Sequence, residues 1–224
     1  LVTWPSWVAV RSGSRRGSVA SVWWVAALGI KIDIAQYAMP IMVIGLCCLI
    51  GRSKAVKGIG YFLFGIGLIF FGIAYIKSGF EALQGTVDIS RYALGGVKGL
   101  LLYTVLGVVV TIVMQSSAAV LALVIAALSV QQLTYDNAVA IAIGSNVGST
   151  MTAVLGAVGA NAEGKKLGAA HVIFNCVTAV LALAGIRLFL LGTDAVAALA
   201  GVGQDDYIVK LAIFHTLFNV VGIA

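Results

Sequence analysis

The sequence predicts an all-α, polytopic membrane protein with broken or re-entrant helices, and three observations carry that reading. Hydrophobic residues make up 61% of the chain and charged residues 10%, where a soluble domain carries roughly a quarter charged. The charges sit in short clusters, so residues 99–135, 137–162 and 167–186 form uncharged runs of 37, 26 and 20 residues. A helical span needs roughly 20 apolar residues, so each run holds at least one. The runs are continuous rather than alternating, and a bilayer requires backbone groups to be satisfied internally; helices therefore win over a barrel. Finally, two of the runs are interrupted in the middle by clusters of polar side chains, at 115–117 and 144–150.

Residues 1–18 hold Arg11, Arg15 and Arg16 among serines and glycines, ahead of the apolar stretch Val19–Ile30. That order is similar to a signal peptide, but no A-x-A-like site follows and Lys31-Ile-Asp33 closes the stretch, so a truncated membrane segment is preferred. Both ends of the chain read as cut: it begins at Leu1 and ends at Ala224 inside an apolar run. Ala35–Ile50 is a first span with Pro40 near its start, where proline is tolerated. The loop Gly51–Lys57 has Arg52, Lys54 and Lys57 and no acid, which places it in the cytoplasm. Gly58–Ile76 is the next span, and Gly58, Gly60, Gly65, Gly67 and Gly72 suit close helix approach in lipid. Lys77–Lys98 is mixed in charge and reads as an interfacial or re-entrant connector.

The run 99–135 is too long for one span, and Gln115-Ser116-Ser117 is its polar break. The stretch 137–160 is broken by Gly144-Ser145-Asn146-Val147-Gly148-Ser149-Thr150. Leu167–Leu191 is a further span, preceded by Glu163, Lys165 and Lys166. The loop after it has Asp194, Asp205 and Asp206 with no base until Lys210, and so is extracytoplasmic. Ile208–Ala224 begins a last span.

The net charge of +6 invites a nucleic-acid partner, but no basic stripe or aromatic platform accompanies it, and the bases lie at segment ends. Cys47, Cys48 and Cys176 have no metal-ligand or disulfide spacing and read as buried small hydrophobes.

Three consecutive polar side chains at Gln115-Ser116-Ser117 are costly in hydrocarbon, several kcal/mol for each unsatisfied group. Serines bonding back to their own helix account for one of them and less well for three. In the second cluster Gly144 and Gly148 permit unwinding, and Ser149 and Thr150 are candidate N-caps of a helix resuming at Met151. A helix restarting in mid-membrane aims free N–H groups and a positive dipole end at an anion, while freed carbonyls and side-chain oxygens suit sodium. The bland alternative is a glycine-lined helix crossing. His171-Val-Ile-Phe-Asn175 and His215-Thr-Leu-Phe-Asn219 repeat an H-x-x-F-N pattern. The i, i+4 spacing puts each His and Asn on one helix face, for bonding between helices and bracing of the site. Enzyme chemistry is a poor fit. Ser116 or Ser149 paired with His171 or His215 is conceivable, but G-x-S-x-G, H-E-x-x-H and a P-loop lysine are all absent.

Met114-Gln115-Ser116-Ser117-Ala118-Ala119, followed by Ile143-Gly144-Ser145-Asn146-Val147-Gly148-Ser149-Thr150-Met151-Thr152, resembles the bacterial type II sodium/phosphate cotransporter family. That family carries Q-S-S-S-A and then G-A-N-I-G-T-T, and its H-x-x-F-N helices follow in the same order. The resemblance covers roughly residues 17–224. It implies two inverted repeats, each with a Q-S-S hairpin. Residues 17–37 would then be the remnant of the first repeat, 38–98 connecting transmembrane helices and 99–224 the second repeat, cut at its C-terminus; 1–16 are unassigned.

The same resemblance implies sodium-coupled symport of inorganic phosphate across the cytoplasmic membrane by alternating access. Gln115, Ser116 and Ser117 would form the substrate and sodium site, with Ser145, Asn146, Ser149 and Thr150 opposite and Gly144 and Gly148 at the helix break. His171, Asn175, His215 and Asn219 would stand behind them. Sodium would be held through Gln115, Ser117, Asn146 and Thr150, and no other cofactor is implied; the partners are phosphate, sodium, the bilayer and the missing first repeat. Ala118, Ser145 and Ser149 stand where the family has Ser, Ala and Thr, which removes one hydroxyl and keeps the others polar. Two alternatives stay open: a carrier of another small anion, and a non-transporting membrane scaffold or sensor of the same fold.

Overall fold

A computed structural model of the chain describes residues 19, 20, 22, 23, 25, 26, 35–84 and 94–222. The basic N-terminal segment 1–18, most of the segment assigned to a first repeat, and residues 85–93 of the expected connector lie outside the described residues. Among those described, the elements are helices: α1 (Ala35–Leu49), α2 (Lys54–Gln84), α3 (Gly96–Met114), α4 (Ser117–Ser129), α5 (Tyr135–Gly148), α6 (Thr150–Val158), α7 (Ala162–Ala184), α8 (Ile186–Leu199) and α9 (Tyr207–Val221). Four stretches are long and apolar enough to cross a membrane: Lys54–Ala82, Gly96–Met114, Tyr135–Val158 and Ala162–Ala184. The protein is an all-α, multi-pass membrane protein.

Two boundaries differ from the sequence reading. Helix α2 does not stop at Ile76 but runs on to Gln84, because Lys77 and Glu81 are an i, i+4 pair on its exposed surface, which favours helix over connector. The span expected over Leu167–Leu191 ends at Ala184, and after Gly185 a new helix starts at Ile186. Gly185 lacks the side chain that would hold it in the helix, and its N–H closes α7 on the Leu181 carbonyl at 2.9 Å.

Helices α1 and α2 form a hairpin whose seam is made of glycines. A Cβ on Gly45 would lie 2.6 Å from the Phe64 backbone nitrogen, and one on Gly60 would lie 2.9 Å from the Gly45 carbonyl oxygen. Gly67 faces the Ala38 carbonyl at 3.0 Å in the same way. Gly58, Gly65 and Gly72 were expected on that seam too, but they meet nothing within 4 Å. The two sets are offset by two residues, about 200° around the helix, so only one can face α1.

The centre of the molecule is α5. It packs on α3, α4, α7 and α9, and the membrane-length stretch it forms with α6, Tyr135–Val158, is 61% buried against 28% or less for the other three. Around it Val120, Leu121 and Ile125 of α4 join Leu211, Phe214 and Phe218 of α9 in one core. Val22 and Ala26 belong to this core as well, and the Trp23 indole N–H donates to the Thr216 hydroxyl of α9 at 3.0 Å. Cys47 and Cys176, expected inside, are free and exposed. In a bilayer the outer surface is as apolar as the core, so a small hydrophobic residue satisfies either.

Candidate functional site

Helices α3 and α5 touch through their backbones. A Cβ on Gly107 would collide with the Ile141 carbonyl, and one on Gly144 with the Thr104 carbonyl. One on Gly148 would lie 2.6 Å from both the Val108 oxygen and the Thr111 Cβ. Contacts that climb both helices together mean that the two run parallel, with α4 as the return between them. At the same rise per residue, Gln115–Ser117 at the top of α3 is level with Ser149–Thr152, within about one helical turn. The two polar clusters therefore meet at one height in the bundle.

At the first cluster the chain breaks. The Gln115 N–H closes α3 on the Thr111 carbonyl at 2.7 Å, and Gln115 then turns left-handed with φ 53° and ψ 20°. Glycine or asparagine is usual there, and a side chain costs about 1–2 kcal/mol. Ser116 is extended, and its hydroxyl accepts the Ala119 N–H at 3.2 Å, which makes it the N-cap of α4. The amides of Ser117 and Ala118 are left at the free, positive end of a 13-residue helix. Ser116→Ala is expected to cost about 1 kcal/mol, read as a lower midpoint of thermal unfolding, with Ser116→Asn restoring most of it.

The second cluster behaves otherwise, and this corrects the reading of Gly144 and Gly148 as helix-break glycines. The chain stays helical from Tyr135 through Gly148, and Ser149 keeps right-handed helical dihedrals, φ −63° and ψ −17°. The Ser149 N–H bonds the Ser145 carbonyl at 3.0 Å. The discontinuity is one residue of irregular ladder at Ser149. The glycines are there for the crossing with α3, where any side chain would separate the helices. Nor do Ser149 and Thr150 cap α6: the Ser145, Ser149 and Thr150 hydroxyls donate to the carbonyls of Ala142, Asn146 and Val147 at 2.8, 2.8 and 2.7 Å. Such a hydroxyl has used its proton and keeps its lone pairs, which makes it an acceptor.

Two buried atoms at this level have no hydrogen-bond partner among the described residues: the Asn146 side-chain N–H2 and the Thr111 hydroxyl. Asn146 is 7% exposed and Thr111 fully buried. An unpaired buried polar group costs about 1–3 kcal/mol. Thr111 was missed by the sequence reading; its signal was its position four residues before Gln115, on the same face of an otherwise apolar helix. Gln115 itself is exposed, and Ser116 and Ser117 are half-buried.

The two H-x-x-F-N segments fall on α7 and α9, both packed on α5, and have the same local geometry. The Asn175 amide donates to the His171 carbonyl at 2.9 Å and lies 3.3 Å from its Nε2. Asn219 repeats this with His215 at 2.7 and 3.1 Å. These bonds lie within one helix, and they fix each imidazole against its own backbone. Among the described residues no three His, Cys, Asp or Glu side chains gather as a metal site, so a cation here would rest on neutral oxygens.

The chain is a bundle of membrane-spanning helices that brings two polar clusters to one height, the first exposed to half-buried and the second largely buried. The chain belongs to the Na+/Pi-cotransporter family, whose pattern it matches over residues 1–78 and 91–213; the match includes the first sixteen residues, unassigned from sequence. It is 26% identical over 215 residues to the uncharacterized protein YqeW of Bacillus subtilis (strain 168), a region that is 91% of this chain and 64% of that relative's length. The chain thus spans under two thirds of the curated relative it matches. No solved structure matches it.

Proposed function

We propose that this chain carries one Q-S-S hairpin of a sodium-coupled symporter of inorganic phosphate in the cytoplasmic membrane. The observation that carries the reading is the left-handed break at Gln115, level with the Ser149 irregularity and with two unpartnered buried polar atoms. The donors at this height are the Gln115 side-chain amide, the free amides of Ser117 and Ala118 at the start of α4, and the Asn146 amide. They suit phosphate oxygens. The acceptors are the lone pairs of Ser145, Ser149 and Thr150 and the carbonyl oxygens of Gln115 and Asn146, and they suit sodium. Residues 99–135 contain no charged side chain, so the anion's charge is offset by the bound cation and the helix dipole. That makes the coupling obligatory. His171, Asn175, His215 and Asn219 stand behind the site on the helices that flank α5. Alternating access further requires an inverted counterpart of this repeat.

The test is uptake of radiolabelled phosphate into proteoliposomes containing the full-length protein, with and without a sodium gradient. Sodium-driven uptake that is lost in Gln115→Ala and Ser117→Ala is expected. Normal uptake by both variants would sink the site assignment. Stronger competition by sulfate than by arsenate would change the anion but keep the mechanism.

A further inference from the structure

Helix α8 hangs between two glycine joints. At Gly185 the N–H closes α7 on the Leu181 carbonyl at 2.9 Å, and the Gly185 carbonyl opens α8 by accepting the Leu188 and Phe189 amides at 2.9 and 3.1 Å. A swing about the Gly185 dihedrals breaks none of these bonds, and glycine resists such a swing least. At the other end Gly201 is left-handed with φ 69°. A Cβ on Gly201 or Gly203 would meet nothing within 4 Å, so this turn is not held by packing.

At the end of the bundle opposite the Q-S-S break, α8 is one wall of a cavity of about 520 Å³, which Leu190 lines together with Leu100 of α3 and Val139 of α5. On its other flank α8 is held to α9. The Phe189 ring meets Phe214 and Phe218 edge-on at 6.0 and 6.4 Å, and the Asp194 carboxylate accepts from Lys210 Nζ at 2.8 Å. The buried Thr193 hydroxyl donates to the Phe189 carbonyl of its own helix at 2.8 Å. Among the described residues the ion pair is therefore the polar bond that ties α8 to α9.

That pair can part reversibly. The Lys210 side chain is 12% exposed and that of Asp194 55%, so one charge is already in water and separation rehydrates the other. Such a pair holds far less firmly than a fully buried one. Lys210 also stands 5.9 Å from the Tyr207 ring, and Tyr207 packs on Tyr135 at 5.4 Å. The Tyr135 hydroxyl is buried with no hydrogen-bond partner among the described residues, a group that gains from water.

We propose that α8 is a hinged strap, latched by Lys210 and Asp194, that shuts this end of the bundle and lifts to open the cavity to solvent. Lifting hydrates both charges and admits water to Tyr135; the contact of Phe189 with α9 opposes it. The motion does not depend on the protein being a sodium symporter, since none of these residues belong to the Q-S-S hairpin.

The experiment uses full-length protein in lipid nanodiscs, with its native cysteines changed to alanine and one reporter cysteine added. Val139→Cys places the reporter on the cavity wall and Ile143→Cys places it one turn along α5 in the packed core; the native residues are 1% and 0% exposed. A water-soluble methanethiosulfonate is the probe. Asp194→Asn or Lys210→Met is expected to raise the labelling rate of Val139→Cys at least tenfold while Ile143→Cys stays protected. Reversing the pair, Asp194→Lys with Lys210→Asp, should return the rate most of the way to the parent's, which a loss of packing does not. The proposal is overturned if neither single variant speeds labelling, if the reversed pair labels as fast as they do, or if Ile143→Cys is labelled in step with Val139→Cys.

Discussion

Gly144→Ala is expected to abolish the native fold or to lower its melting temperature by well over ten degrees, while Gly65→Ala leaves it unchanged or slightly raised. The methyl group at residue 144 would collide with the Thr104 carbonyl and come within 3.0 Å of the Val108 nitrogen. Both neighbours are backbone atoms of an α-helix, so no side chain can rotate away. Either α3 and α5 separate along their whole seam or one helix breaks. Overpacking a core by one methylene already costs about 1–3 kcal/mol, and here the displaced partner is a helix. Gly65 faces open space, so alanine there brings only its higher helix propensity, up to about 1 kcal/mol. Tryptophan fluorescence of purified protein during heating reads both. A Gly144→Ala protein that melts with the wild type would mean that α3 and α5 do not cross where the structure puts them.

That glycine also shows what the sequence could tell. Uncharged runs bounded by charged clusters were enough to find the spans, because the cost of burying charge in lipid punctuates the chain. The Q-S-S break was legible for the same reason: three adjacent polar side chains in hydrocarbon need a local cause, and the left-handed Gln115 with Ser116 as cap is that cause. Gly144 and Gly148 were ambiguous. Lack of a Cβ permits both unwinding and close approach, and which applies depends on whether another helix lies alongside. Register decided the same question in α2, where Gly60 and Gly67 meet α1 and Gly58, Gly65 and Gly72 do not. Thr111 stayed hidden, since a lone threonine in a helix ordinarily bonds its own carbonyl, as Thr104 does with Leu100 at 2.7 Å. Only the packed structure reveals that the Thr111 hydroxyl lacks this bond.

Asn146→Leu separates function from stability, because the two are expected to move in opposite directions. The Asn146 side chain is buried, and its N–H2 is unpartnered among the described residues; leucine is close to it in size and has no polar group to leave unpaired. If Asn146 were there for packing alone, the substitution would be neutral or would stabilise the protein by about 1–3 kcal/mol, and transport would survive. If it reaches the transported ions, as we propose, the same variant melts at or above the wild-type temperature yet loses sodium-driven phosphate uptake by two orders of magnitude or more. Asn146→Asp provides the second arm. It keeps the shape, replaces a donor by an acceptor and adds negative charge, so it should weaken phosphate binding while leaving sodium binding intact or stronger. Calorimetric titration of each ion into the full-length variants reads that split directly. Loss of both ions together in Asn146→Asp, with normal uptake in Asn146→Leu, would remove Asn146 from the site and leave the Q-S-S hairpin to act without it.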